Sequence, residues 1–466
     1  MPLTAGDIAA ATGGQLIAGA PQTAIGRVSI DTRTLTPGDL FVALRGERFD
    51  GHQFVAAALD GGALGAVVEA PRGPADYAAR ASSLLIGVTD TTRALQLVAR
   101  DVRRRSAAKV VAITGSAGKT TTKEITAEFL AARYRVFRNK GNLNNHIGLP
   151  LSLLELRSRP EIAVVELGMN HPGEIRTLIG IAEPEVRVWT NVGDAHMGFF
   201  GSADEIADAK AEILENARPG DTLVANANDE RVMARARRFP GRVVTFGLDV
   251  PADVQAASVE LRGLDGSRAR VHTARGEFTL SSPLLGLGNL SNVLAATTVA
   301  LELGVPIEAI QERARQLRPA SHRGELIRLP GGITLIDDSY NSSPSALRQA
   351  LEVMAAAEGC ARKVAVLGEM LELGEHAGRL HAACGQAAAA ARLDMLIVVG
   401  GEPARALAQA AMAHGMDAAN VSHAPTNGEA ADLALSRVRP GDLVLVKGSR
   451  GIGTDLVVER LKAEFA

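Results

Sequence analysis

Short apolar runs recur along the chain, and polar or glycine-bearing turns follow them. The segments LFVAL (40–44), KVVAI (109–113), IAVVEL (162–167), VRVWTN (186–191), MLIVV (395–399) and LVLV (443–446) have the length and β-branched content of buried strands. Between them lie stretches of helical period: 91–105, from Lys119 onward, 203–216 and 286–303. From residue 333 the alternation is regular, with strands at 333–337, 364–367, 395–399 and 443–446. Helices are expected there at 344–357, 376–391, 403–414, 429–438 and up to about 465. Residues 252–280 are short, polar and β-like. Apolar strands alternating with helices predict an α/β protein with parallel sheets, doubly wound in the last third.

A length of 466 residues suits three domains of roughly 150 residues each. The basic end of the 91–105 helix and the PASHR stretch at 319–323 divide the chain into 1–106, 107–318 and 319–466. At 46% hydrophobic and 22% charged, each domain has enough apolar residues for a core. A net charge of −2 gives no whole-molecule attraction to nucleic acid or an anionic membrane. Aromatic residues, at 3%, are too few to build stacking platforms for single strands. Cys360 and Cys384 form neither a disulfide framework nor a zinc knuckle, and are expected as reduced buried thiols. The start, MPLTAGDIAA, lacks the basic beginning of a signal peptide, and no apolar run reaches the roughly 18 residues a membrane span needs. These features predict a cytoplasmic protein without a membrane span.

Candidate chemistry centres on VVAITGSAGKTTTK (110–123), a strand, a glycine turn and a helix start. Inward N–H groups and the helix N-terminus can cradle a polyphosphate. Ile113 stands at the first glycine position of the usual phosphate loop, leaving the shorter Gly115-x-x-Gly118-Lys119-Thr120. Gly115, Ser116, Ala117, Gly118 and Thr121 would line the phosphates, Lys119 would reach the outer ones, and the Thr120 hydroxyl would face Mg²⁺. Glu166 ends an apolar strand, where a carboxylate needs a partner. His196 follows another strand in a loop that also carries Asp194. Ligand crevices in open parallel sheets lie beyond the strands' carboxyl ends, so Thr120, Glu166 and His196 form a candidate Mg²⁺ site. Periodicity alone makes Lys210 a solvated helix lysine. Asn142, Asn144 and Asn145 lie in a glycine-containing loop where asparagine also suits plain turns. Ser29, Asp31, Thr32 and Arg33, and likewise Asp50, Gly51 and His52, allow the same two readings. Asn289 and Asn292 share a helix face. In the last third the strand-end loops hold 337–341, 368–370 and 447–450, and no strand is followed by GxGxxG, so a dinucleotide role gains nothing.

The order of these stretches resembles the Mur ligase family over the whole length. The resemblance rests on SIDTR, PGDLFVAL and FDGH near the start, then TGSAGKTTTKE, KGNLNNHIGLP, VVELGMNHPGEI, AKAEI, IDDSYNSSP, LGEMLELG and KGSR. It implies an N-terminal UDP-sugar-binding α/β domain, a central P-loop ATPase-like domain and a C-terminal Rossmann-like domain. It also implies ATP-dependent amide ligation with Mg²⁺ in peptidoglycan precursor synthesis. DDSYN (337–341) resembles the members whose acceptor is UDP-N-acetylmuramoyl-tripeptide and whose incoming amine is D-alanyl-D-alanine. By resemblance Lys119, Glu166, His196 and Lys210 are catalytic, Lys210 as a carbamate that joins the metal ligands. Asn289, Asn292, Arg323, Asp338 and Asn341 would contact ATP. The Ser29–Arg33 and Asp50–His52 groups and the three asparagines would hold the UDP-sugar substrate. Gly288 departs from the family's frequent histidine before the first adenine asparagine. The chain is expected as a monomer. Alternatives are another Mur-type or folylpolyglutamate synthase-like ligase, a kinase or motor-type NTPase, and a non-catalytic nucleotide sensor.

Overall fold

The computed structural model describes residues 1–70, 83–194 and 197–465. The chain divides into two compact units. One comprises Met1–Ala112, Tyr134–Met169 and Gly173–Val186, the other Ile113–Arg133, Asn170–Pro172 and Arg187–Ala466.

Near the start, β1 (Gln15–Ala18), β2 (Val28–Ser29), β3 (Leu40–Val42), β4 (Gly65–Glu69) and β5 (Leu84–Val88) form a sheet of order β1-β5-β4-β3-β2. The pairs β2–β3, β3–β4 and β4–β5 are parallel, so the loops after Ser29, Val42 and Glu69 leave the same end. The antiparallel β1 closes the other edge. Asp90 caps the helix Thr91–Ser106 by accepting the Arg93 N–H at 2.8 Å. That helix buries Ala94, Leu95, Val98, Ala99 and Val102 on one stripe, and its last-turn Arg103 donates to the Ala182 carbonyl at 2.7 Å.

The middle strands are β6 (Lys109–Thr114), β7 (Val136–Arg138), β8 (Ile162–Glu166), β9 (Val186–Trp189), β10 (Thr222–Asn226), β11 (Arg242–Leu248), β12 (Val254–Leu261), β13 (Ser267–Thr273) and β14 (Gly276–Ser282). Their order is β14-β13-β12-β11-β10-β9-β6-β8-β7. The pairings β7–β8, β10–β11 and β11–β12 are parallel. The β-like stretch 252–280 becomes the antiparallel run β12–β13–β14, so the central sheet is mixed rather than wholly parallel. Short turns join these strands, which permits antiparallel pairing without a crossover helix.

The last sheet contains β15 (Glu325–Arg328), β16 (Thr334–Asp338), β17 (Arg362–Gly368), β18 (Met395–Val399), β19 (Val421–Ala424) and β20 (Asp442–Lys447), in the order β15-β16-β20-β17-β18-β19. One core cluster packs the helices Pro344–Ala356, Ala377–Ala390 and Glu402–Ala413 on one face. The other packs Asn427–Arg437 and Asp455–Phe465 on the opposite face. The doubly wound expectation therefore holds. β15 and β19 are additions at the two edges, half-polar strands with little apolar signal, and β15 runs antiparallel to β16. Cys384 is buried, which pushes its thiol up to about 11, whereas Cys360 sits half-buried in the loop before β17, so one of the two expected buried thiols is partly open. No described helix is long and apolar enough to cross a membrane.

Candidate active site

In the second unit, β6 ends at Thr114 and the helix Lys119–Leu130 begins five residues on. The turn between them needs glycine at two positions. Gly118 has φ 77°, and a Cβ there would lie 2.2 Å from Asn292 Oδ1. A Cβ on Gly115 would lie 1.9 Å from Thr190 Oγ1. The turn is braced from behind: Ala117 N–H donates to Asn191 Oδ1 at 2.8 Å, Ser116 N–H to Asn191 O at 3.0 Å, and Thr190 Oγ1 to Ala117 O at 2.9 Å. The amide groups at the helix start, with the partial positive charge of its N-terminus, form an anion site. Thr120 and Thr121 are both half-buried in that first turn.

Lys119 Nζ curls back to donate to Gly115 O at 2.9 Å. Lys210 Nζ donates to the same carbonyl at 3.1 Å. Lys210 is 1% exposed, which overturns the solvated reading from periodicity. Its helix, Ala203–Ala211, buries Ile206, Ala207, Ala209 and Lys210, and three of these are apolar enough to carry the lysine inward with them. Burial, followed by the charge of Lys119, pushes the Lys210 ammonium well below its ordinary value. No carboxylate pairs with it among the described residues, and a buried cation without an anion is costly. A neutral buried amine is the form that adds CO₂, and the resulting carbamate would supply the missing negative charge. The donor set therefore fits a carbamylated lysine beside a metal-bound polyphosphate. Among the described residues no three His, Cys, Asp or Glu side chains cluster as a metal site, and His196 lies outside the described residues.

Asn292 joins the phosphate loop to the helix Gly286–Glu302. It accepts from Thr122 Oγ1 at 3.2 Å and donates to Asn289 Oδ1 at 3.3 Å. At Gly288 a Cβ would lie 2.3 Å from Gln349 Oε1, so a side chain from the last third fills the space beside that glycine.

In the first unit, Glu166 is 2% exposed at the end of β8, and the partner its burial demands is Asn144, whose Nδ2 donates to Oε1 at 2.7 Å. Asn145 does a different job, accepting the Gly148 N–H at 2.8 Å at the start of the helix Gly148–Leu153. Asn142 is exposed. Near the start of the chain, Arg33 grips Asp31 with Nη2–Oδ2 at 2.7 Å and Nε–Oδ1 at 3.0 Å. The Arg33 side chain and backbone N–H bring the Asp31 carboxyl to about 2. Ser29 Oγ donates to Asp31 O at 3.1 Å, and Thr32 is half-buried beside them. His52 is buried: its Nε2 accepts the Glu69 N–H at 3.0 Å, which leaves the proton on Nδ1, 2.6 Å from Asp50 Oδ1. Both ring nitrogens are thus engaged, and His52 fixes the loop rather than presenting a free group. Gly51 is required there, since a Cβ would lie 2.6 Å from Leu44 O.

In the last third, the carboxyl ends of the neighbouring strands β16 and β20 bring the 337–341 and 447–450 loops together. Lys447 Nζ donates to Asp338 Oδ2 at 2.7 Å and to Asn341 O at 3.0 Å. Arg323 lies 4.1 Å from the Tyr340 ring centroid. His322 Nδ1 is 2.8 Å from Asp337 Oδ2. Sequence reasoning missed the Lys447–Asp338 pair and His322, because strand adjacency brings them together and spacing does not.

Three family models match: "Mur ligase family, catalytic domain" over residues 24–103, "Mur ligase middle domain" over 113–300, and "Mur ligase, glutamate ligase domain" over 322–450. The chain belongs to the Mur ligase family and is an ATP-dependent amide ligase. Among its relatives is UDP-N-acetylmuramoyl-tripeptide–D-alanyl-D-alanine ligase of Bacillus subtilis (strain 168), 35% identical over 444 residues, covering 94% of each chain. The enzyme of that name from Escherichia coli (strain K12) is 36% identical over 375 residues, 80% of this chain and 81% of that one. MurF from Acinetobacter baumannii superposes with TM-score 0.89 at 34% identity, covering 99% of both chains. MurF ligase from Thermotoga maritima, solved with ADP, gives TM-score 0.82 at 29% identity over 94% of this chain and 97% of that one.

Proposed function

We propose that this protein joins D-alanyl-D-alanine to UDP-N-acetylmuramoyl-tripeptide, with ATP cleaved to ADP and phosphate as the amide forms. The product is UDP-N-acetylmuramoyl-pentapeptide, formed in the last cytoplasmic peptide-adding step of peptidoglycan precursor synthesis. Likeness along nearly the full chain to relatives bearing that name carries the substrate assignment. The two lysines converging on one phosphate-loop carbonyl carry the chemistry. Residues 1–106 bind the UDP-sugar, 107–318 bind ATP, and 319–466 bind the dipeptide and contact the nucleotide. The enzyme acts as a monomer.

ATP lies with its phosphates on the Gly115–Thr121 turn, where Lys119 leaves its carbonyl to meet the γ-phosphate. Thr120, Glu166, His196 and carbamylated Lys210 would hold Mg²⁺, and the ion would neutralise phosphate charge when bound. Asn289 and Asn292 face the base, while Arg323, Asp338 and Asn341 close on the nucleotide. The tripeptide carboxylate attacks the γ-phosphorus, ADP leaves, and an acyl phosphate forms. Charge spreads over the transferring phosphoryl oxygens, so positioning and electrostatics supply most of the acceleration. The neutral amine of D-alanyl-D-alanine then adds to the acyl carbon, loses its proton and expels phosphate. Water must be excluded until that step.

Oxygen labelling tests this route. With ¹⁸O in the tripeptide's terminal carboxylate, one label is expected in the released phosphate, as read by mass spectrometry. Unlabelled phosphate together with full pentapeptide yield would exclude the acyl phosphate. A folate acceptor turned over in place of the tripeptide would support the folylpolyglutamate-type alternative.

A further inference from the structure

Asn139 has a side chain with no exposed surface, placed where β7 ends beside β8. The parallel register pairs Val136 with Ile162, Phe137 with Ala163 and Arg138 with Val164, and the ladder then stops. From there the Asn139 side chain takes the place of a backbone partner. Its Oδ1 accepts the Glu166 N–H at 3.1 Å, and its Nδ2 donates to Leu143 O at 3.0 Å. A side-chain amide offers an acceptor and a donor fixed on one short plane. Leu143 precedes Asn144, which donates to the Glu166 carboxylate at 2.7 Å, and Asn144 O accepts the Gly168 N–H at 2.9 Å. The result is a closed ring in which Asn139 holds the main chain of Glu166 and the loop that presents the amide on its carboxylate. Gly168 completes it, because a Cβ there would lie 2.9 Å from Cγ and Oδ1 of Asn144.

We propose that Asn139, supported by Gly168, is the positioning residue that aims Glu166. This rests on the reading of Glu166 as an active-site carboxylate. A displacement of about 1 Å in a catalytic group is worth up to roughly 100-fold in rate, so two lost tethers are enough to matter.

The test compares wild type with Asn139→Ala, Asn139→Thr, Gly168→Ala and Glu166→Gln. It measures turnover with both substrates, the KM of each, ADP affinity by calorimetry with and without Mg²⁺, and the melting temperature. Asn139→Ala is expected to lower kcat by about 10-fold or more while each KM moves by less than about 3-fold. Mg²⁺ is expected to enhance its ADP binding less than in wild type. Asn139→Thr keeps an acceptor for the Glu166 N–H and is expected to recover part of the loss. Gly168→Ala removes no hydrogen-bonding group, so its loss of kcat with an unchanged melting temperature reports position rather than folding. Wild-type kcat and Mg²⁺ response in folded Asn139→Ala and Gly168→Ala would overturn the proposal, as would a lowered melting temperature alone. If Glu166→Gln itself turns over like wild type, the reading of Glu166 fails first, independently of Asn139.

Discussion

Lys210 shows why a residue's neighbours in space, not its sequence, decide its state. On its helix it is one of four charged positions, with Asp204, Glu205 and Asp208, and nothing local distinguishes a buried lysine from a solvated one. In the fold it shares the Gly115 carbonyl with Lys119 and lies in a dry place. Its folded pKa is lowered, so between that value and the ordinary 10.5 the unfolded chain binds more protons. Stability conferred by the neutral form therefore rises as pH climbs through that window and levels off above 10.5. In CO₂-depleted buffer the wild type is expected to gain melting temperature as pH rises from neutral toward that value, and Lys210→Met to show a flatter profile. With ¹³C-bicarbonate, a carbamate carbon resonance is expected in wild type and not in Lys210→Arg. The arginine variant should lose about 100-fold or more in turnover, as expected for a lost charge-stabilising group. Glu166 was more legible, since a carboxylate ending an apolar strand demands a partner. That the partner is Asn144 and not Asn142 or Asn145 follows only from how the loop folds.

Among the elements, the phosphate turn could be read directly. A β-branched strand, two glycines and a lysine-threonine start leave little other geometry, and β6 and the helix Lys119–Leu130 fall where expected. Its dependence on Gly118 is open to test. Gly118→Ala must adopt a left-handed φ and push a methyl group into Asn292, so ADP affinity should fall by about 10-fold or more in calorimetry while the fold survives, such strain costing about 1–3 kcal/mol. Unchanged affinity would mean that the turn relaxes freely. Capping gives a contrasting case. Asp90→Ala removes only the N-cap of the helix Thr91–Ser106 and should cost about 1 kcal/mol of stability in urea titration with kcat intact. The edge strands β15 and β19 escaped sequence reading because exposed edges lack the continuous apolar run that marks a parallel interior strand.

For the whole molecule, the three-domain organisation was legible, as was the position of the phosphate turn and Glu166 at strand ends, whereas the pairings between strand-end loops were not. Asp338 and Lys447 meet because β16 and β20 are neighbours, a fact that no spacing encodes. Within the second unit, residues 191–194 brace the phosphate turn on one side and reach the last third on the other, where Arg348 Nη2 is 3.3 Å from Asp194 Oδ2. Gly374, at φ 54°, abuts Gly198, and a Cβ on it would lie 2.8 Å from the Gly198 Cα. Gly374→Ala should therefore hinder this approach and lower kcat, while ADP affinity stays within about 2-fold because the phosphate turn is untouched. A parallel loss of ADP affinity would count against that separation. The most direct test of the ligase assignment is phosphate release from ATP and Mg²⁺ with UDP-N-acetylmuramoyl-tripeptide alone, with D-alanyl-D-alanine alone, and with both. Release only with both, matched by pentapeptide in equal amount, is the predicted result. Release without either substrate, or ATP binding with no release in any mixture, would contradict it.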